Sequence, residues 1–129
     1  MRNAKGAYRL TASITRAYRF EAAHRLPNVP KGHKCGRMHG HGFRLEVVVR
    51  GPVGKQSGWV LDFADVDRAV RPLVDSLDHR TLNDVEGLLN PTSERLTEWF
   101  WKRLAPLLPG LAEVAVAEGP DSRVSYTGE

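Results

Sequence analysis

His39, His41, Phe43, Leu45, Val47 and Val49 occupy every second position of one stretch, with Arg44, Glu46 and Arg50 at positions between and beyond them. Strict alternation of this length is the mark of a strand that buries one face and wets the other. Both histidines sit at the start of the apolar parity, so their rings project from one face about 7 Å apart. A second alternating run covers residues 14–24. Ile14, Tyr18, Phe20 and Ala22 point one way, with Arg16 a polar exception, and Thr15, Arg19 and Glu21 point the other. His24 ends that run on its apolar parity. A loop over residues 25–38, marked by Pro27, Pro30, Gly32 and Gly36, joins the two runs. If the strands return antiparallel, three imidazoles meet at one end of the core face.

Neutral imidazole is a preferred zinc ligand, and three protein ligands with an open fourth position form a catalytic rather than a structural centre. A lone histidine on an apolar face is an ordinary core residue. Two at i, i+2 with a third on the adjacent strand favour a metal. Cys35, the only cysteine, lies in the loop between His24 and His39. A thiol beside such a centre is a candidate nucleophile or base. Asp78-His79 reads either as a carboxylate orienting a proton-transferring imidazole or as a helix end with a polar cap. Glu118, at a strand end, is a surface residue on sequence grounds alone. Arg25, Lys31, Lys34 and Arg37, with His33, crowd the histidine loop. They either hold a triphosphate or another anion or simply face solvent. His39-Gly-His41-x4-Glu46 also fits the first half of a cupin metal signature, and His79-x3-Asn83 echoes its end. Glu46 has the wrong parity for it, and two helices take up chain that a cupin would spend on strands.

The remaining chain completes an α+β pattern. Trp59 to Leu61 reads as a short third strand. Asp62 caps a helix carried by Phe63, Val66, Val70, Leu73 and Leu77, with Pro72 expected to bend it. A second helix starts near Asn90-Pro91-Thr92-Ser93-Glu94 and runs through Leu96, Trp99, Phe100 and Leu104. Trp99 and Trp101 cannot share its face, so at least one belongs to the core. Val114, Val116 and Glu118 share one strand parity, and Val124 with Tyr126 forms the last strand. The order β-β-β-α-α-β-β predicts an antiparallel sheet with two helices on one face. Residues 14–129 read as a single domain, and residues 1–13 as a loose extension without the apolar stretch of a signal peptide. No apolar run reaches membrane-span length. The net charge of +4 suits an anionic partner, but no nucleic-acid motif is present. One cysteine suits a reducing cytoplasm.

Phe20-Glu-Ala-Ala-His24-Arg-Leu, Cys35-Gly-Arg-Met-His39-Gly-His41, Leu61-Asp-Phe, Leu77-Asp78-His79, Leu82-Asn-Asp and Asn90-Pro-Thr-Ser-Glu94 resemble the 6-pyruvoyltetrahydropterin synthase family. The likeness is strongest to its bacterial 6-carboxytetrahydropterin-forming branch of the queuosine pathway. The Cys-x3-His-x-His spacing is the specific part, since pyruvoyl-forming members usually insert two more residues. The resemblance implies the tunnelling fold, in which subunits join sheets into a barrel, as a homo-hexamer of paired trimers with active sites between subunits. It implies zinc on His24, His39 and His41, Cys35 as catalytic base or nucleophile, Asp78 and His79 as a proton-transfer pair, and Glu118 as the pterin anchor. The implied reaction turns 7,8-dihydroneopterin triphosphate into 6-carboxy-5,6,7,8-tetrahydropterin, acetaldehyde and triphosphate. The runner-up stops at the pyruvoyl pterin. A non-catalytic zinc or nucleic-acid-binding module is the alternative from another class. The family commonly has threonine after the anchoring glutamate; here it is Gly119.

Overall fold

The long alternating runs become the two central strands of the sheet. A computed structural model describes residues 10–129. Strand β1 (Thr11–His24) pairs antiparallel with β2 (His39–Pro52) along their whole length, with Phe20 opposite Phe43 and His24 opposite His39. Helix α1 (Phe63–Leu77) follows, then the two-residue strand β3 (Arg80–Thr81), helix α2 (Ser93–Leu104), β4 (Leu111–Glu118) and β5 (Ser122–Tyr126). The sheet order is β3-β1-β2-β4-β5. All pairs are antiparallel except β1 with β3, so the sheet is mixed. No helix among the described residues is long and apolar enough to cross a membrane.

The expected loose extension over residues 1–13 falls largely on residues 1–9, which lie outside the described residues. Thr11 to Ser13 are already strand, paired with Pro52 to Arg50. The third strand expected at Trp59 to Leu61 is absent. The Gly54 N–H donates to the Trp59 carbonyl at 2.9 Å, closing a turn instead of a ladder. Val60 and Leu61 still pack on the core, so their apolar character is used without strand pairing. The third strand in chain order is Arg80–Thr81, which pairs only with Ala22 and Ala23.

Alternation sorts the faces as expected. Tyr18, Phe20, Phe43, Leu45, Val47, Val114 and Val116 are buried under the helices. Helix α1 covers β1 with Val66, Val70, Val74 and Leu77, and α2 covers β4 and β5 with Leu96, Phe100 and Leu104. Each such side chain contributes roughly 1.5–3 kcal/mol by leaving water. Asp62 caps α1 by accepting from the Ala64 N–H, and Thr92 caps α2 by accepting from the Arg95 N–H. Helix α1 runs through Pro72 to Leu77. Trp99 is the core tryptophan, while Trp101 packs edge-on against Tyr126.

Arg16, the polar exception on the apolar parity, has a partner on α1. Its guanidinium grips both oxygens of Asp67 at 2.9 Å, and the buried Tyr18 hydroxyl donates to Asp67 at 2.6 Å. The hydrogen bond from Arg16, with that from Tyr18, holds the Asp67 carboxyl down at about 2. Burial, then the Asp67 contact, pushes the Tyr18 phenol up. A carboxyl whose folded value lies below its unfolded value near 4 stabilises the fold above that value. The contribution fades as pH falls from about 4 toward 2. We expect Asp67→Ala to lose about 1–3 kcal/mol at pH 7, the scale of a buried donor left unpaired. The gap from the parent should narrow as pH drops through this window. Thermal unfolding at one protein concentration across pH 2–7 measures it, and a gap independent of pH would refute the charge argument.

Candidate metal centre

The antiparallel register brings the three histidines to one end of the helix-covered face. His24 lies opposite His39, and His41 lies opposite Ala22. Ring centroids are 4.6 Å apart for His24–His39, 5.1 Å for His24–His41 and 4.8 Å for His39–His41. One ligand nitrogen from each ring lies within 4.8 Å of the others. Such a group could hold one metal ion once the rings draw slightly closer.

The rings are held by backbone carbonyls. His24 Nδ1 is 2.8 Å from the Pro91 carbonyl, and His39 Nδ1 is 2.6 Å from the Arg37 carbonyl. A carbonyl oxygen only accepts, so both Nδ1 atoms carry the proton and both Nε2 atoms keep a lone pair. This is the way proteins fix the tautomer of a metal-binding imidazole. His24 is 1 % exposed, yet its Nε2 has no hydrogen-bond partner. An orphaned buried acceptor costs about 1–3 kcal/mol unless something fills its place. A metal ion does so, and the residues fit one. Burial holds the His24 imidazole below its usual value, which keeps it in the neutral, ligating form.

Glu118 joins this face. It ends β4 on the parity of Val114 and Val116 and lies opposite Phe43. One carboxylate oxygen accepts from the Ser93 hydroxyl at 2.6 Å, and the other is 3.6 Å from His41 Nε2. The segment Asn90 to Ser93 thus orients two site residues, His24 through Pro91 and Glu118 through Ser93. In the sequence this segment carries only the signals of a helix start. Gly119 follows with φ +64°. A β-branched residue would be strained there, so this turn suits glycine and offers no hydroxyl at that position.

Asp78 and His79 are brought together outside the histidine ligand cluster. Asp78 Oδ1 accepts from the Glu21 N–H at 2.9 Å and lies 3.1 Å from His79 Nδ1. The Glu21 contact, then His79, holds the Asp78 carboxyl below its usual range. His79 has φ 58°, the one non-glycine residue at positive φ among the described residues, and its N–H donates to the Glu21 carbonyl. Such strain persists only where neighbours impose it and gathers at functional sites. His79 lines a hollow of about 410 Å³ with Glu21, Ala23, Gly40 and Gly42. Ala22 and His41 line it too, so the hollow lies at the sheet end beside the histidine centre.

Cys35 sits in a 3₁₀ turn, Lys34–Gly36, half-buried, and outside the histidine ligand cluster. Glu46 points away from the histidines to Arg123 at 3.0 Å, which removes the cupin arrangement.

Residues 13–129 match the model of the 6-pyruvoyl tetrahydropterin synthase family. The chain belongs to this family. It is 40 % identical over 119 residues, 88 % of this chain and 91 % of the relative, to a 6-carboxy-5,6,7,8-tetrahydropterin synthase of Synechocystis. It is 34 % identical over 134 residues, 91 % of this chain and 80 % of the relative, to a 6-pyruvoyl tetrahydrobiopterin synthase of Drosophila melanogaster. The solved 6-pyruvoyl tetrahydropterin synthase of Caenorhabditis elegans superposes with a TM-score of 0.86 at 29 % identity, covering 95 % of this chain and 99 % of that one. The chain is thus an enzyme of the pterin synthase family, with the family fold and a histidine centre able to hold a metal.

Proposed function

We propose that the chain is a zinc-dependent carbon–carbon lyase. It turns 7,8-dihydroneopterin triphosphate into 6-carboxy-5,6,7,8-tetrahydropterin, acetaldehyde and triphosphate, in the cytoplasmic route to queuosine, a 7-deazapurine. The observation that carries the reading is the convergence of three carbonyl- and strand-oriented imidazoles with Glu118 on one sheet face. The carboxy-forming outcome is favoured by the short Cys35-to-His39 spacing and by the relative 40 % identical to the chain.

His24, His39 and His41 would hold the metal. When bound, zinc supplies a Lewis acid for the substrate's side-chain oxygens. Glu118 offers two acceptor oxygens in a plane. The pterin ring presents an exocyclic amino group and a ring N–H side by side, and a carboxylate accepts from both as it does from an arginine fork. Ser93 fixes the direction of that carboxylate. Cys35 takes a proton from the substrate side chain. With Nδ1 turned to Asp78, His79 keeps Nε2 free to accept or return a proton, and Asp78 supports the charge that results.

Because the His79 side chain is largely exposed beside the open β1 edge, the proton-transfer pair of one subunit can serve the metal centre of another. This favours sites between subunits and a homo-hexamer of paired trimers. Beyond Ala22 and Ala23, β1 has no described neighbour on the β3 side. An open edge of that length is a liability that joining subunits removes.

The pyruvoyl-forming reaction is the second reading, favoured by the relative from Drosophila melanogaster. Incubation with dihydroneopterin triphosphate separates the two. We expect acetaldehyde to appear in step with substrate loss. A pyruvoyl pterin accumulating without acetaldehyde would establish the second reading instead.

A further inference from the structure

We infer that the loop over residues 25–38 is a phosphate subsite that grips the polyphosphate tail of the substrate and makes affinity depend on phosphate number. The inference rests on the proposed pterin phosphate chemistry and assigns its anion to particular residues.

The loop carries Arg25, Lys31, Lys34 and Arg37 and no aspartate or glutamate. Among the described residues, none of these four cations makes an ion pair, whereas Arg44 and Arg123 share Glu46 on the sheet. Three of them, Arg25, Lys31 and Arg37, line one hollow of about 300 Å³ together with His33. That volume is at the low end for small-molecule sites. It suits the tail of a ligand whose ring is held elsewhere.

The hollow is built before any ligand arrives. Pro27 and Pro30 fix the backbone. The Leu26 N–H donates to the Cys35 carbonyl at 2.8 Å, and the Gly36 N–H to the His33 carbonyl at 3.0 Å. Asn83 clamps Arg25 from both sides, accepting from its N–H at 2.8 Å and donating to its carbonyl at 2.7 Å. His33 Nδ1 accepts from the Cys35 N–H at 3.0 Å. The proton of a neutral His33 is therefore on Nε2, where it adds a donor to the cationic wall. Preorganised donors bind without first losing their own freedom.

The hollow is also tied to the metal centre. Arg25 directly follows His24, and the Arg37 carbonyl is the group that orients His39. An anion on Arg25 and Arg37 is thus anchored to the same backbone that sets two of the three metal-binding rings. Guanidinium forks and ammonium groups are the natural partners of phosphate oxygens.

The test uses inorganic triphosphate as probe, so it reads the loop whether or not the pterin reaction is the right one. Calorimetry should show binding to the parent protein. In Lys31→Ala/Arg37→Ala the dissociation constant should rise at least tenfold. Lys55→Ala/Lys102→Ala, which removes the same charge from exposed positions elsewhere, should bind like the parent. Metal content should be unchanged in both. With dihydroneopterin triphosphate, KM of the loop variant should rise similarly, while binding of unphosphorylated dihydroneopterin stays as in the parent. Absence of triphosphate binding to the parent overturns the inference, as does equal weakening in the two double variants. A single-stranded RNA that binds the loop and is not displaced by triphosphate overturns it in favour of a nucleic-acid surface. Triphosphate binding lost in the loop variant, with no pterin turnover in any protein, would uphold the subsite and sink the proposed reaction.

Discussion

Metal content should fall from about one ion per subunit to near zero in His39→Ala and in His41→Ala, with turnover lost alongside. Removing a group that merely orients a ligand typically weakens metal binding 10–100-fold. Removing a ligand itself should exceed that range. Both residues are only partly buried at the sheet end, while the core is built from Phe20, Phe43, Leu45, Val116 and the helix leucines. These two variants should therefore keep the fold. His24→Ala should differ, because His24 is fully buried and its Nδ1 occupies the Pro91 carbonyl. It should lose the metal and in addition about 1–3 kcal/mol of stability from that orphaned carbonyl. Elemental analysis of gel-filtered protein, with circular dichroism as the fold control, makes the measurement. Full occupancy in the His39 and His41 variants would remove the metal assignment.

The centre was legible because it obeys the period of a strand. Parity alone puts His39 and His41 on the face of Phe43 and Leu45, and one antiparallel return adds His24. The two helices were legible from their spacing and their Asp62 and Thr92 caps. What escaped depends on contacts with no local trace. Pro91 reaches His24 across 67 positions and Ser93 reaches Glu118 across 25, so a motif that looked like a plain helix start proved to orient the site. Strand β3 is two residues long and is fixed by the junction of Asp78 and His79 with Glu21. No periodicity can announce so short an element. Trp59 to Leu61 misled in the other direction, because Val60 and Leu61 pack the core equally well from a turn while Trp59 stays exposed. Arg16 looked like an error in the alternation until Asp67 on α1 supplied its partner. Asp78-His79 was readable as a pair, but its placement against Glu21 follows from the β3 junction alone.

Cys35→Ala should leave the metal and the substrate affinity in place and slow turnover at least about a hundredfold, the lower scale of a proton-transfer group. The structure gives this expectation its shape. Cys35 is not part of the histidine ligand cluster, so its loss should not drain the centre. Its backbone, rather than its thiol, holds the loop, through the Leu26 N–H to its carbonyl and its own N–H to His33. Alanine preserves both bonds, and the residue is half-buried, so little packing is lost. A purely structural thiol would then show near-normal turnover in Cys35→Ala, whereas a proton-transferring one leaves KM and metal content unchanged while kcat collapses. Cys35→Ser sharpens the distinction. A hydroxyl fills the same space but gives up its proton far less readily than a thiol, so a packing role predicts parent-like turnover with serine as with alanine, and a proton-transfer role predicts loss in both. Serine and alanine variants that both turn over at the parent rate would leave the loop as the holder of its cations and of Arg37 beside His39, with no chemistry of its own at position 35.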